Sequence, residues 1–344
     1  PVVARLKAAG ALIIGRTNIP AFSFSGTNAS SSWDGDTYNA FGRQFAPGAS
    51  SSGTATAVSA NFAVLGIAEE TGGSIQNPAA AQGIVGIKPT FGLVPNVGVV
   101  PIGGSTRDVI GPHARTVKDA ARMLDVIAGY TPEDPKTVAS IGNIPPGGYT
   151  SKLNTQALRG KRIGLFGPGW RNVELAPETK KLYDQAISDL AAQGAVVVPD
   201  PFAGTDFANY VEEAGWSGLE SFIYDMEDYL KRLGPDSPIQ SVEELIRKTG
   251  EVPSPFAFVY GDDLPDPEGT PDLSQFLAYR TLFLDIINGV MDKYELDALF
   301  FPQAYKETPL LDSGEDIGSL TVSEINIAGV PLVTVPGGYY KSGA

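Results

Sequence analysis

Helices and short apolar strands alternate along this chain, and that rhythm admits few architectures. Pro177 to Gln193 reads as a strongly amphipathic helix, closed by Gly194 and followed by the strand Ala195 to Val198. A helix over 272–293 and strands over 297–301 and 330–335 continue the series. Upstream, Pro1 to Ala9 carries apolar residues near helical spacing, with Gly10 as its stop, and Ala11 to Ile14 reads as a short buried strand. Ala55 to Phe62 is expected to be helical, Ala63 to Ala68 a strand and Glu70 to Pro78 a turn. Val117 to Ala128 is expected to form a helix ending at Gly129, and Arg162 to Phe166 a strand. A helix with one apolar stripe must bury it against another layer, so the series predicts α/β layering over a mainly buried sheet.

The segments between these elements differ in character. Residues 16–53 are rich in Ser, Asn, Gly and Asp and read as a long loop, while the Pro and Gly clusters of 131–160 read as a surface connection. The segment 203–270 is more acidic and aromatic and reads as mostly helical. Of the 344 residues, 42% are hydrophobic and 19% charged, a globular composition. Lys and Arg number 25 against 39 Asp and Glu, giving a net charge of −14. Phosphate backbones and anionic lipid repel such a chain, which excludes nucleic acid as a general partner. No apolar run approaches the ~20 residues of a membrane span, and no signal peptide opens the sequence. The chain therefore reads as soluble, cytoplasmic or exported. Residue 1 is Pro rather than Met, in keeping with a segment upstream.

Cysteine is absent and His113 is the single histidine. Cysteine nucleophiles, thiolate zinc sites, iron–sulfur clusters and two-histidine metal sites are thereby removed together. No metal and no organic cofactor is implied. Any chemistry must come from other groups, and two segments offer them. One is Pro47-Gly48-Ala49-Ser50-Ser51-Ser52-Gly53-Thr54-Ala55, the other Thr71-Gly72-Gly73-Ser74-Ile75-Gln76-Asn77-Pro78. Gly72 and Gly73 allow backbone conformations closed to other residues, and consecutive N–H groups there can converge on a developing oxyanion. Ser74 follows directly. Each segment alone is no more than a Ser-rich loop or a Gly-Gly turn.

Together they are specific. Joined by an apolar helix and strand, and followed by Gly86-Ile87-Lys88-Pro89-Thr90, they resemble the amidase signature family. Gly15-Arg16-Thr17-Asn18, Gly111-Pro112-His113-Ala114-Arg115-Thr116-Val117, Leu158 to Gly164 and Ala328 to Pro336 extend the resemblance over nearly the whole chain, most weakly across 200–275. The resemblance implies a single amidase-signature domain over 1–344, incomplete at both ends, with a central mixed β-sheet surrounded by α-helices. It implies a Ser-cisSer-Lys triad, with Ser74 as nucleophile and Ser50 as the bridging serine held in a cis peptide. The backbone N–H groups of Thr71, Gly72, Gly73 and Ser74 would form the oxyanion hole. The implied reaction is hydrolysis of a carboxamide C–N bond, with small-molecule or peptide-like amides, and in some members esters or carbamates, as substrates.

Departures from the family pattern matter. The family's general-base lysine lies upstream of Pro1 by this reading. Lys7 sits on an amphipathic helix and reads as solvated, and Lys88 matches a structural lysine. Glu69-Glu70 replaces Thr-Asp and Gln76 replaces Arg, so an acid–arginine pairing near Ser74 is expected to be lost. Specificity is expected to reside in 200–275, where Phe202, Phe207, Tyr210, Trp216, Phe222 and Tyr224 are candidates and at least half are expected to be core.

Other motifs fail on context. Gly10 to Thr17 mimics a P-loop, but a buried strand fills the interval. Gly167-Pro168-Gly169 lacks the rest of a dinucleotide fingerprint. No Ser is followed three residues later by Lys. His113, at an expected helix entry, reads as a packing or capping residue, and Glu212-Glu213 and Asp262-Asp263 as solvated faces. The rival to a stand-alone hydrolase is a non-catalytic or partner-dependent member such as an amidotransferase subunit. That rival needs tRNA and a second subunit, and the negative charge disfavours the tRNA. The oligomeric state is open, a homodimer included.

Overall fold

Strand direction divides the molecule in two, as seen in a computed structural model that describes residues 1–343. A small hairpin of β1 (Ser30–Ser31) and β2 (Gly35–Asp36) decorates the loop 16–53. β3 (Leu65–Glu70), β4 (Val85–Lys88) and β5 (Val109–Ala114) follow, then β6 (Arg162–Leu165), β7 (Val196–Val198), β8 (Ala298–Phe300) and β9 (Leu332–Thr334). The first sheet has the order β3-β5-β4-β9 with antiparallel neighbours, and the second has the order β7-β6-β8 with parallel ones. Both directions are thus present in one α/β fold, each in its own ladder. Every residue of β4 and β5 is buried, as expected of strands covered on both faces.

The helices are α1 (Val2–Ala8), α2 (Ser52–Ser59), α3 (Gln76–Ala81), α4 (Val117–Ile127), α5 (Pro177–Ala192), α6 (Phe207–Ala214), α7 (Phe222–Arg232), α8 (Val242–Thr249), α9 (Ser254–Tyr260), α10 (Ser274–Tyr294) and α11 (Ser323–Ala328). Their ends follow local chemistry. The Thr116 hydroxyl caps α4 by accepting from Asp119 N at 3.1 Å, and Pro177 opens α5 where its missing N–H costs nothing. Val2 and Leu6 of α1 pack with Met123 and Leu124 of α4 against Val85, Ile87 and Ile110. A second core centres on Trp170, whose ring lies 4.9 Å from Phe202 and 4.8 Å from Phe207, and it gathers α6, α10 and α11. No helix among the described residues is long and apolar enough to cross a membrane.

Three local expectations are corrected. Ala11 to Ile14 is irregular and open to solvent, with Leu12 90% and Ile14 72% exposed. An apolar run asks for burial, but it becomes a strand only when a neighbour pairs with it. His113 lies within β5 opposite Gly66 and Gly86, well before α4 begins, so it packs and does not cap. The far end of the expected turn at 70–78 is helical from Gln76.

Candidate active site

The Ser-rich segment folds back on itself beneath the end of β3. The Ala49–Ser50 peptide bond is cis and Gly48 has φ +70°. Ala49 N donates to Gly26 O at 3.0 Å, and the Ser52 hydroxyl donates to Gly48 O. The Ser51 hydroxyl donates to Glu69 O at 3.2 Å and accepts from Glu69 N at 3.1 Å, which locks the segment to the strand. Ser51 N donates to Ser74 O at 3.3 Å. That bond brings together the two segments singled out in the sequence.

The second segment is the sharp turn from β3 into α3. A helix start leaves several N–H groups without intrahelical partners. Here the fully buried Glu70 carboxylate takes up two of them, accepting from Ile75 N at 2.9 Å and Gln76 N at 3.1 Å. The same carboxylate accepts from Gln76 Nε2 at 2.5 Å and Asn326 Nδ2 at 2.9 Å. Where the family resemblance implies an acid–arginine pairing, the Glu70 carboxylate here pairs with the neutral Gln76 amide. The Thr71 hydroxyl donates to Asp108 Oδ1 at 2.6 Å, and Asp108 in turn accepts from Ile102 N and Gly103 N, each at 3.0 Å. Gly73 reaches φ +95°, which the turn requires and an L side chain resists. The N–H groups of Gly72, Gly73 and Ser74 make no backbone hydrogen bond among the described residues.

Ser50 and Ser74 are both buried, and their hydroxyls stand outside the hydrogen bonds that hold their loops. Neighbours do the holding: Ser51, Ser52, Glu70 and Thr71. The two lysines weighed from the sequence lie elsewhere. Lys7 is exposed on α1. Lys88 is buried, donating to Pro89 O at 3.1 Å and Val330 O at 2.9 Å, and burial lowers its pKa to about 8. Burial also raises the carboxyl of Asp108, and it holds Glu69 well above the ordinary value with help from the charges of Asp108 and Glu70. No cluster of metal-ligating side chains occurs among the described residues.

The aromatic candidates divide. Phe202, Phe207 and Phe222 are fully buried, Tyr210 and Tyr224 are partly so, and Trp216 is 50% exposed. Trp216 is the one seated on the site: its Cζ3 lies 2.9 Å from where a β-carbon on Gly72 would be. Sequence reasoning missed Asp108 and Asn326. Asp108 stands just before the Gly111-Pro112 motif, a signal that could have found it, whereas nothing local marks Asn326.

The amidase family model matches residues 1–342. The chain belongs to the amidase family. Its fold is that of solved amidase-signature enzymes: the peptide amidase from Stenotrophomonas maltophilia superposes with a TM-score of 0.80 at 32% identity, covering 99% of this chain and 70% of that one. A probable amidase of Arabidopsis thaliana is 31% identical over 362 residues, 99% of this chain and 64% of that protein. A glutamyl-tRNA(Gln) amidotransferase subunit of Brachyspira hyodysenteriae is 42% identical over 198 residues, 58% of this chain and 40% of that protein. The chain thus spans less than two thirds of either of these two relatives.

Proposed function

We propose that this amidase hydrolyses a carboxamide C–N bond through an acyl-enzyme on Ser74. The observation that supports it best is the pairing of the cis Ala49–Ser50 segment with a turn whose N–H groups at Gly72, Gly73 and Ser74 are unclaimed. In this reading Ser74 Oγ attacks the carbonyl carbon while its proton passes to Ser50. Ser50 passes its own proton to the general-base lysine of the family pattern, placed upstream of residue 1. The oxyanion is received by the N–H groups of residues 71–74. One such donor is typically worth ~10²–10³ in rate. Proton return through Ser50 lets the amine or ammonia leave, and water then attacks the ester to release the carboxylate. The segment 200–275 supplies specificity toward a small or peptide-like amide, with no cofactor required.

Glu70 gives this scheme its geometry. By occupying the donors at Ile75 and Gln76 it fixes the start of α3, and in this reading the preceding donors are left to the substrate carbonyl. The test is mass-mapped labelling by a serine-directed fluorophosphonate, on this chain and on a chain extended upstream. Labelling of Ser74, abolished by Ser74→Ala with the fold retained, is the expected result. A Ser74→Ala variant that still hydrolyses amides overturns the mechanism. The match to an amidotransferase subunit favours a second reading, a partner-dependent member. Absence of labelling in both chains would select it.

A further inference from the structure

Three consecutive residues hold two different parts of the site. Thr106 Oγ1 donates to Gly218 O at 2.7 Å. Arg107, fully buried, donates from Nε to Ser217 O at 2.7 Å and from an Nη to Gly215 O at 3.4 Å. Asp108 accepts from the Thr71 hydroxyl at 2.6 Å. The stretch Thr106–Arg107–Asp108 therefore fixes the loop 215–218 against the turn 71–74. Gly215 at φ +48° and Gly218 at φ +103° bracket that loop, and between them it presents Trp216. The indole rests against Gly72, with the buried Arg107 guanidinium over its ring, 5.8 Å from the centroid. Val322 Cγ1 lies 3.6 Å from the same β-carbon position of Gly72, so the two side chains make an apolar corner beside the unclaimed N–H groups.

We infer that Trp216 is a specificity wall that selects amides bearing a flat aromatic ring next to the scissile carbonyl. A rigid half-exposed indole offers a planar surface, and aromatic rings gain from offset stacking beyond the area they bury. Its backbone is anchored from below by Arg107 and Thr106, so little ordering is left for the ligand to impose. The inference rests on the carbonyl-binding turn of the proposed function but does not require Ser74 to be the nucleophile.

The test is therefore made on the Ser74→Ala chain, by calorimetric titration with benzamide and with cyclohexanecarboxamide, a ligand of similar size without a flat ring. Benzamide is expected to bind about fivefold more tightly, the size of one aromatic pair. Adding Trp216→Leu should erase that preference, and Trp216→Phe should keep most of it. A merely structural role for Trp216 would weaken both ligands alike. Equal affinities in the Ser74→Ala chain, an equal loss for both ligands in Trp216→Leu, or no binding of benzamide overturns the inference. Flat-ring selectivity in a protein that never labels at Ser74 would leave it standing while the acyl-enzyme reading fell.

Discussion

Lowering the pH from 7 to 5 charges an imidazole in the unfolded chain but not in this folded one. His113 Nε2 lies 2.9 Å from Ile75 O, a carbonyl that can only accept, so the ring proton sits on Nε2. Nδ1 is buried and has no hydrogen-bond partner among the described residues. A second proton there would be an unsatisfied donor on a desolvated cation, and burial lowers the pKa from 6.5 to about 4. The folded value is depressed, so the stability it confers is complete above 6.5 and lost as the pH falls toward 4. At about 1.36 kcal/mol per unit, the step from pH 7 to pH 5 costs about 2 kcal/mol. Urea unfolding at pH 7, 6 and 5, on the natural chain and on His113→Met, measures it. The substitution forfeits the bond to Ile75, a constant offset, and removes the one imidazole in the sequence. The raised carboxyl of Glu69 pulls the other way, conferring stability at low pH that is lost as the pH rises, but it is common to both chains and cancels in their difference. That difference should narrow by about 2 kcal/mol between pH 7 and pH 5. Curves that stay parallel would refute the argument.

Two further substitutions probe the scaffold. Glu70→Ala strips four donors of one buried carboxylate and should lower the unfolding free energy by about 3 kcal/mol, with slower fluorophosphonate labelling of Ser74; denaturant curves and labelling rates check both. Lys88 has a folded pKa lowered from 10.5 to about 8, so its burial penalty is largest below pH 8 and fades as the pH rises toward 10.5. Unfolding free energy should rise by about 1.5 kcal/mol more between pH 8 and pH 9.5 in the natural chain than in Lys88→Met.

Elements with a strong helical period were legible. α4 and α5 lie within a residue of the expected Val117 to Ala128 and Pro177 to Gln193. β4 and β5 were not read as strands, because Gly86, Gly111, Pro112 and His113 carry no β signature. Those strands exist through pairing, and a local window does not contain the partner. Ala11 to Ile14 shows the converse, a strand-like composition that pairs with no strand among the described residues. At the candidate site, the motifs pointed to Ser50 and Ser74, whose roles the labelling experiment tests. The groups that hold their loops were legible only where they are sequence neighbours, as with Glu70. Asn326 and the Thr106–Asp108 stretch act across the fold; Asp108 is marked only by the neighbouring Gly111-Pro112 motif, and nothing local marks Asn326.

The reach of Glu70 bears on how such a site can be made. Its bond to Asn326 closes a separation of 256 residues, and Ser319 reaches Asn77 and Thr321 reaches Gln76 over 242 and 245. Such contacts form late, because a long loop must be closed before they return anything. A nascent chain can present Ser74 early in synthesis, yet the turn beneath it stays unfinished until residues beyond 326 have left the ribosome. Half-made copies would then hold a serine without the support that aims it.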